Sequence, residues 1–187
     1  MKLQGFLDRI GESTTALHEK YADRLIVNND LNRQLVSYQA NKKEPEYRWC
    51  KYKEGYSARL MRYLYEKVGI HTGPILDPFA GSGTSLFVAS DMGMDSIGIE
   101  LLPCSAEIIE VRQLLRHSNS KEFAEALIRF RDQQPWRNSG REVPFRHLRI
   151  TKGAFSRATT SQMGRVLYEA DGLRDPALGR VIRFIVM

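Results

Sequence analysis

A chain of 187 residues, 42% hydrophobic and 27% charged, is long enough to bury one substantial core with an appendage. No apolar run approaches the ~18 to 20 residues of a membrane span, and the first ten residues lack a signal-peptide core, so a cytoplasmic protein with no membrane partner is expected. The formal charge of +6 is uneven: residues 1–100 hold 13 Lys/Arg against 13 Asp/Glu, and residues 101–187 hold 15 against 9.

The N-terminal stretch is polar and reads as helices with breaks. Ser13 or Thr14 is placed to cap a helix running toward Leu25, and Leu31, Leu35 and Tyr38 recur at helical spacing before a loop at residues 41–45. Nothing in it suggests chemistry. From Tyr47 the run Y-R-W-C-K-Y-K-E-G-Y-S is rich in aromatic rings and positive charge. Ser57 closes it as a suitable N-cap for a helix carrying Leu60, Tyr63, Leu64, Lys67 and Val68 at intervals of three and four.

Ile75, Leu76 and Asp77 then read as a short buried strand, residues 84–92 as a helix, residues 96–100 as a second strand, and residues 103–116 as a helix opened by Pro103. Strand, glycine turn, helix, strand, helix is the repeat of a parallel, doubly wound α/β sheet. Beyond His117 the strand signal fades. Phe123, Leu127 and Phe130 mark a helix, residues 133–153 a basic loop, residues 161–168 a helical stretch, and residues 176–187 a last apolar helix. Cys50 and Cys104 lack Cys-x-x-Cys or Cys/His spacing, so idle or buried thiols are expected rather than a metal site or disulfide framework.

The chemistry concentrates in D-P-F-A-G-S-G-T, residues 77–84. A phosphate-binding P-loop needs Lys followed by Ser/Thr after its last glycine, and Gly83 is followed by Thr84 and Ser85. The dinucleotide fingerprint needs a third glycine where Leu86 stands. An S-adenosylmethionine turn needs neither. In that reading Gly81 and Gly83 admit the methionine part close to the backbone, and Asp77 faces its ammonium group. A carboxylate is also required at the end of the second strand to accept the ribose hydroxyls, and Glu100 stands there, seventeen positions after Gly83.

The same residues resemble the amino-group DNA methyltransferases, which modify adenine N6 or cytosine N4. D-P-F-A-G-S-G-T looks like their cofactor motif, and I-G-I-E-L-L-P (residues 97–103) resembles the segment that follows it. Y-K-E-G-Y-S-A-R-L (residues 52–60) resembles the motif in which a helix N-terminus holds the methionine carboxylate. The resemblance implies a partial Rossmann-like methyltransferase fold with added N- and C-terminal helices. It divides the chain into an N-terminal helical region (1–46), an S-adenosylmethionine-binding core (47–117) and a basic, mostly helical segment (118–187).

It also implies that Lys53, Gly55, Tyr56 and Ser57 approach the cofactor carboxylate and that Phe79 packs near the cofactor. Asp77, Pro78, Ala80, Gly81, Gly83 and Thr84 form the turn, and Glu100 with Leu101 takes the ribose side. Helix N-termini favour anions through free N–H groups and the helix dipole. RNA base methyltransferases share D-P-F-x-G-S-G-T, but the Lys- and Tyr-rich segment before Gly55 and the G-I-E-L-L-P continuation favour DNA.

Transfer to a base also needs an Asp/Asn/Ser-Pro-Pro-aromatic tetrapeptide downstream, and the sequence contains none; Gln134-Pro135-Trp136 has one proline and follows a helical pattern. The chain therefore reads as the cofactor-binding part of such an enzyme: a truncated product, one half of a split enzyme or an excised piece, inactive alone. The alternative is a non-catalytic module that retains the fold and binds nucleic acid or a partner. The cluster of Arg137, Arg141, Arg146, Arg149 and Lys152 is the expected nucleic-acid surface. Expected partners are DNA and either a second polypeptide carrying the missing tetrapeptide or a second copy of the chain.

Overall fold

Two short strands, β1 (Ile75–Asp77) and β2 (Ser96–Gly98), pair in parallel with Ile75 opposite Ser96, Leu76 opposite Ile97 and Asp77 opposite Gly98. They form the two-stranded sheet of the computed structural model, which describes residues 2–24, 28–49, 55–144, 149 and 153–186. The rest of the described chain is helical or irregular: α1 (Lys2–Lys20), α2 (Arg33–Val36), a 3-10 helix (Tyr38–Lys43), α3 (Ala58–Val68), α4 (Thr84–Asp91), α5 (Pro103–His117), α6 (Ser120–Gln133), a 3-10 turn (Pro135–Arg137), α7 (Arg157–Asp171) and α8 (Pro176–Val186). Among the described residues no helix is long and apolar enough to cross a membrane.

Parallel strands cannot be joined by a hairpin, and α4 makes the crossover. Its sequence, T-S-L-F-V-A-S-D, lacks a polar face, and residues 84–89 are all buried. A helix buried over its first six residues must be enclosed there, and α3, the sheet and Ile109 of α5 enclose it, while Ser90 and Asp91 at its end stay exposed. Leu76, Ile97 and Ile99 nevertheless stay 64%, 59% and 52% exposed, so part of the sheet surface is uncovered.

Apolar packing forms two clusters. Tyr47, Ala58, Tyr65, Phe87, Val88, Ala89 and Met94 make the first, around α3 and α4. Val111, Phe123, Phe130, Ala170, Leu178, Val181 and Ile182 make the second, among α5 to α8. Helix α5 serves both, Ile109 facing the first and Val111, Leu114 and Leu115 the second. Arg116, in its last turn, reaches Glu46 with two bonds, Nη2 to Oε2 at 2.7 Å and Nε to Oε1, and pairs with Asp91 at 2.9 Å. Tyr47 also donates to Asp91, so this network ties the segment before α3 to α4 and α5.

The core helices follow their capping signals. Ser57 accepts from the Leu60 N–H, Asn119 from Lys121 and Glu122, Ser156 from Thr159, and Asp175 from Ala177 and Leu178. The expectations for the N-terminal stretch are corrected. Helix α1 runs through Ser13 and Thr14 instead of starting there, and Thr15 bonds back to the Gly11 carbonyl at 3.0 Å. A hydroxyl satisfied within the helix does not end it. Leu31, Leu35 and Tyr38 do not share one helix, and the expected loop at 41–45 is largely 3-10. There Tyr38 donates to the Tyr47 carbonyl and Asn41 is buried, so tertiary bonds override the local pattern. Strand β2 ends at Gly98, two residues early, because Glu100 folds back onto the glycine turn.

Two stability predictions follow from this packing. Helices α7 and α8 cross so closely that a β-carbon on Gly179 would collide with the Ala170 carbonyl oxygen. Gly179→Ala is expected to cost about 1–3 kcal/mol in urea denaturation, whereas Gly11→Ala, in open space on α1, is expected to be neutral or stabilising. Burial pushes the Tyr65 hydroxyl from its ordinary 10.0 up to about 12, with Tyr56 and Asp77 acting in the same direction. The unfolded chain loses this proton first, so stability present below pH 10.0 is lost as the pH rises toward about 12. Tyr65→Phe is expected to flatten that fall in denaturation curves taken across the same window.

Candidate functional site

The chain leaves β1 at Asp77 and turns sharply before α4. Gly81 (φ 55°) and Gly83 (φ 79°) both adopt the left-handed backbone that side chains disfavour. Space forbids a side chain at Gly83 as well, since a β-carbon there would lie 2.9 Å from both Ile109 and Phe87. The turn closes on itself through Gly83 N–H to Ala80 C=O at 2.7 Å, and on β2 through Ala80 N–H to Ile99 C=O at 3.0 Å.

Glu100 completes this closure. Its Oε2 accepts from the Gly81 N–H at 2.7 Å and its Oε1 from the Leu102 N–H at 2.7 Å. A carboxylate accepting backbone N–H bonds makes the stronger, charge-assisted kind of hydrogen bond. Each oxygen keeps a lone pair, so the carboxylate can still accept from a ligand hydroxyl.

Asp77 binds on both oxygens. Oδ1 accepts from the Phe79 N–H at 3.0 Å, and Oδ2 from the Tyr56 hydroxyl at 3.3 Å and from the Ser85 hydroxyl. Burial pushes the Tyr56 hydroxyl above its ordinary value; the Ser85 hydrogen bond opposes this and the Asp77 charge adds to it. Tyr56 therefore stays a donor toward Asp77 at neutral pH. On the inner side of the turn, Arg112 of α5 is buried and donates from Nη1 to the Ser82 carbonyl at 2.8 Å. Its guanidinium lies 5.6 Å from the ring centroids of Tyr47 and Phe87 and 6.0 Å from that of Trp49.

The start of α3 adjoins Asp77 through Tyr56. Gly55 and Tyr56 are half-buried, and Ser57 is buried with its hydroxyl donating to the Leu35 carbonyl. Asn41, 1% exposed, donates to the Tyr56 carbonyl at 3.0 Å and accepts from the Ala58 N–H at 2.9 Å. The Ala58 and Leu60 N–H groups are thus already occupied by Asn41 and Ser57, which leaves Arg59 as the first-turn donor among the described residues.

The predicted site residues fall into distinct settings. Asp77, Gly81, Gly83, Thr84 and Glu100 converge on the turn with buried Ala80, and Tyr56 and Ser57 lie beside them. Pro78 is exposed, and Phe79 and Leu101 are 87% and 91% exposed, large apolar groups in solvent beside the two carboxylates. Lys53 lies outside the described residues, as do Arg146 and Lys152. Arg137, Arg141 and Arg149 are exposed. Gln134-Pro135-Trp136 follows a helix, and Trp136 packs on Phe130 with ring centroids 5.2 Å apart. Cys104 is an exposed free thiol; Cys50 lies outside the described residues.

Three contributors escape a reading of the sequence. Asn41 and Ser85 carry no local signal, because their partners are remote or shared. Arg112 leaves a trace, a charge beside Ile108 and Val111 on the buried face of α5.

The DNA methylase family model, that of the N6/N4 methyltransferases, matches residues 12–111, which include the turn and both carboxylates. The chain is 38% identical over 185 residues to the type II methyltransferase M.AvaI of Nostoc sp. and to the protein of that name from Anabaena variabilis; the aligned stretch is 97% of this chain and 38% of each relative. It is also 38% identical over 148 residues to the type II methyltransferase M.BsoBI of Geobacillus stearothermophilus, 79% of this chain and 28% of that one. The chain thus spans well under half the length of these relatives. No solved structure matches it.

If Glu100 holds the turn, Glu100→Gln is expected to speed amide hydrogen exchange at Gly81 or Leu102 by at least about tenfold, since the neutral amide replaces one charged bond and presents an N–H to the other donor. Exchange at Ile75, bonded to the Asp95 carbonyl, should not change. Equal rates at Gly81 and Leu102 in both proteins would show that Glu100 does not hold the turn.

Proposed function

The chain belongs to the N6/N4 DNA methylase family, and from that premise we propose that it is the S-adenosylmethionine-binding part of a DNA methyltransferase acting on adenine N6 or cytosine N4. The observation that carries this reading is the closed unit of β1, glycine turn, α4 and β2, with Glu100 bonded across it to Gly81. The expected outline is a partial Rossmann-like sheet with helices added at both ends.

The residues present fit the cofactor. Gly81 leaves its methionine part room against the backbone, Gly83 lets the turn pack onto Phe87 and Ile109, and the remaining lone pairs of Glu100 can accept the ribose hydroxyls. Asp77, held by Tyr56 and Ser85, supplies a fixed negative charge for the ammonium group. The exposed Phe79 and Leu101 offer apolar surface for the cofactor. Near the start of α3, the Arg59 N–H with Gly55 and Tyr56 favours the carboxylate, and Lys53 joins them if it continues the motif. When bound, S-adenosylmethionine supplies an electrophilic methyl group. The chain's own residues orient that donor; none of them receives the base.

The missing Asp/Asn/Ser-Pro-Pro-aromatic tetrapeptide favours one second reading, a non-catalytic module that keeps the cofactor fold and binds nucleic acid or a partner. In the enzymatic reading the acceptor half comes from further sequence or a second polypeptide, and DNA is the substrate.

Calorimetric titration with S-adenosylmethionine is expected to give saturable heat for the chain, with strong loss in Glu100→Ala and in Gly81→Val, which forces a β-branched residue into a left-handed position. Absence of heat in all three proteins would sink the cofactor reading. Tritiated methyl transfer to mixed DNA by this chain alone is expected to be undetectable, and robust transfer would show that the acceptor residues are already present.

A further inference from the structure

Ion pairing divides the arginines of the basic half into two sets. Arg116, Arg129, Arg131, Arg180 and Arg183 each face a carboxylate: Glu46 and Asp91, Glu125, Asp132, Glu107 with Glu110, and Asp171. Arg137, Arg157 and Arg165 make no ion pair among the described residues. Arg141, Arg149 and Arg174 likewise appear in no ion pair among the described residues, but Arg137, Arg157 and Arg165 are gathered in one place. With Trp136, Ser161 and Gln162 they line one open cleft of about 750 Å³ between the 3-10 turn (Pro135–Arg137) and the start of α7.

The cleft is built from rigid parts. Gln134 takes a left-handed backbone (φ 47°), unusual for a residue with a side chain, and reverses the chain directly after α6. That reversal brings the Trp136 ring back onto Phe130 and leaves Arg137 exposed at the rim. Across the cleft, Arg157, Ser161 and Arg165 recur at intervals of four on one face of α7, and Arg165 bonds Ser161 at 3.2 Å. One turn further along, Tyr168 receives a 3.0 Å hydrogen bond from Arg141. The N-terminal end of α7 adds its dipole to the same side.

We propose that this cleft is a phosphate-backbone clamp for duplex DNA, gripping through Arg137, Arg157 and Arg165. Among the described residues, three guanidiniums with no ion pair, beside an aromatic ring, suit an extended polyanion and outnumber the one carboxylate at the cleft, Glu142, which accepts from Ser161; arginine forks bond phosphate oxygens in pairs. The choice of DNA rests on the methyltransferase reading above. The clamp adds to the expected cluster of Arg137, Arg141, Arg146, Arg149 and Lys152 two residues of α7 that lie outside it, Arg157 and Arg165.

The test is fluorescence anisotropy with a labelled mixed-sequence DNA duplex across a salt series. Compared are the wild type, Arg137→Gln with Arg157→Gln, and Arg129→Gln with Arg131→Gln, which removes the same charge from paired arginines. Each phosphate contact contributes roughly 0.9 to the slope of log affinity against log salt. The cleft pair is expected to reduce the slope by about 2 and to weaken binding on the order of tens-fold at ~0.1 M salt, with an unchanged thermal midpoint. The control pair should move the slope by less than half as much. Equal effects of both pairs, no duplex binding by the wild type, or tighter binding to single-stranded RNA of equal length would overturn the clamp. Cofactor heat measured on the same samples separates the two ideas. Wild-type heat with DNA binding insensitive to the cleft pair removes only the clamp, and DNA binding lost in the cleft pair without any cofactor heat removes only the cofactor reading.

Discussion

Glu100 has both carboxylate oxygens committed to backbone N–H groups, one in the glycine turn and one at the start of the segment leading to α5. A turn in left-handed conformation directs N–H groups away from any regular partner, and left alone beside a buried helix they would be costly. One acidic side chain, two residues past the end of β2, satisfies the Gly81 N–H and so ties the turn between β1 and α4 to the end of β2. Asp77 acts from the other side, joining the end of β1 to Ser85 of α4 and to Tyr56 ahead of α3. Two carboxylates, held by neighbouring groups, therefore define the geometry around the turn before any ligand is considered.

Positive charge is distributed with equal selectivity. Arg112 is spent inside, on the Ser82 carbonyl and on three aromatic faces, and Arg116 on Glu46 and Asp91. Both sit on α5, the one helix shared by the two apolar clusters. Arg180 is tied to Glu107 on the same helix and Arg183 to Asp171 of α7. Arg137, Arg157 and Arg165 take part in no such pair among the described residues and share one cleft, so the net charge of +6 says less about this surface than the placement of its charges does.

The parts of the fold set by local chemistry are visible in the sequence. The glycine turn, the strand before it and the Ser57 cap depend mainly on nearby residues and appear where the pattern puts them, although that strand, expected to be buried, leaves Leu76 64% exposed. The parts set by remote partners are not. Asn41 looks like a loop residue, yet it occupies the first N–H of α3 across seventeen positions. Ser13 and Thr14 look like a helix start because hydroxyls serve caps and helix interiors equally well. The roles of the turn's side chains toward a ligand follow from family resemblance and physical fit, and the cleft that gathers Arg137, Arg157 and Arg165 exists only in three dimensions.

The closure of the turn is also local in sequence. Gly81 and Glu100 are nineteen positions apart and Asp77 and Ser85 eight, whereas the Arg116–Glu46 and Arg180–Glu107 pairs span seventy and seventy-three. Loop closure becomes harder with separation, and short-range contacts form first. On a ribosome, where the chain emerges from its N-terminus, the turn can therefore close on its carboxylate soon after Leu102 leaves the exit tunnel, while the arginine-rich helices are still being synthesised.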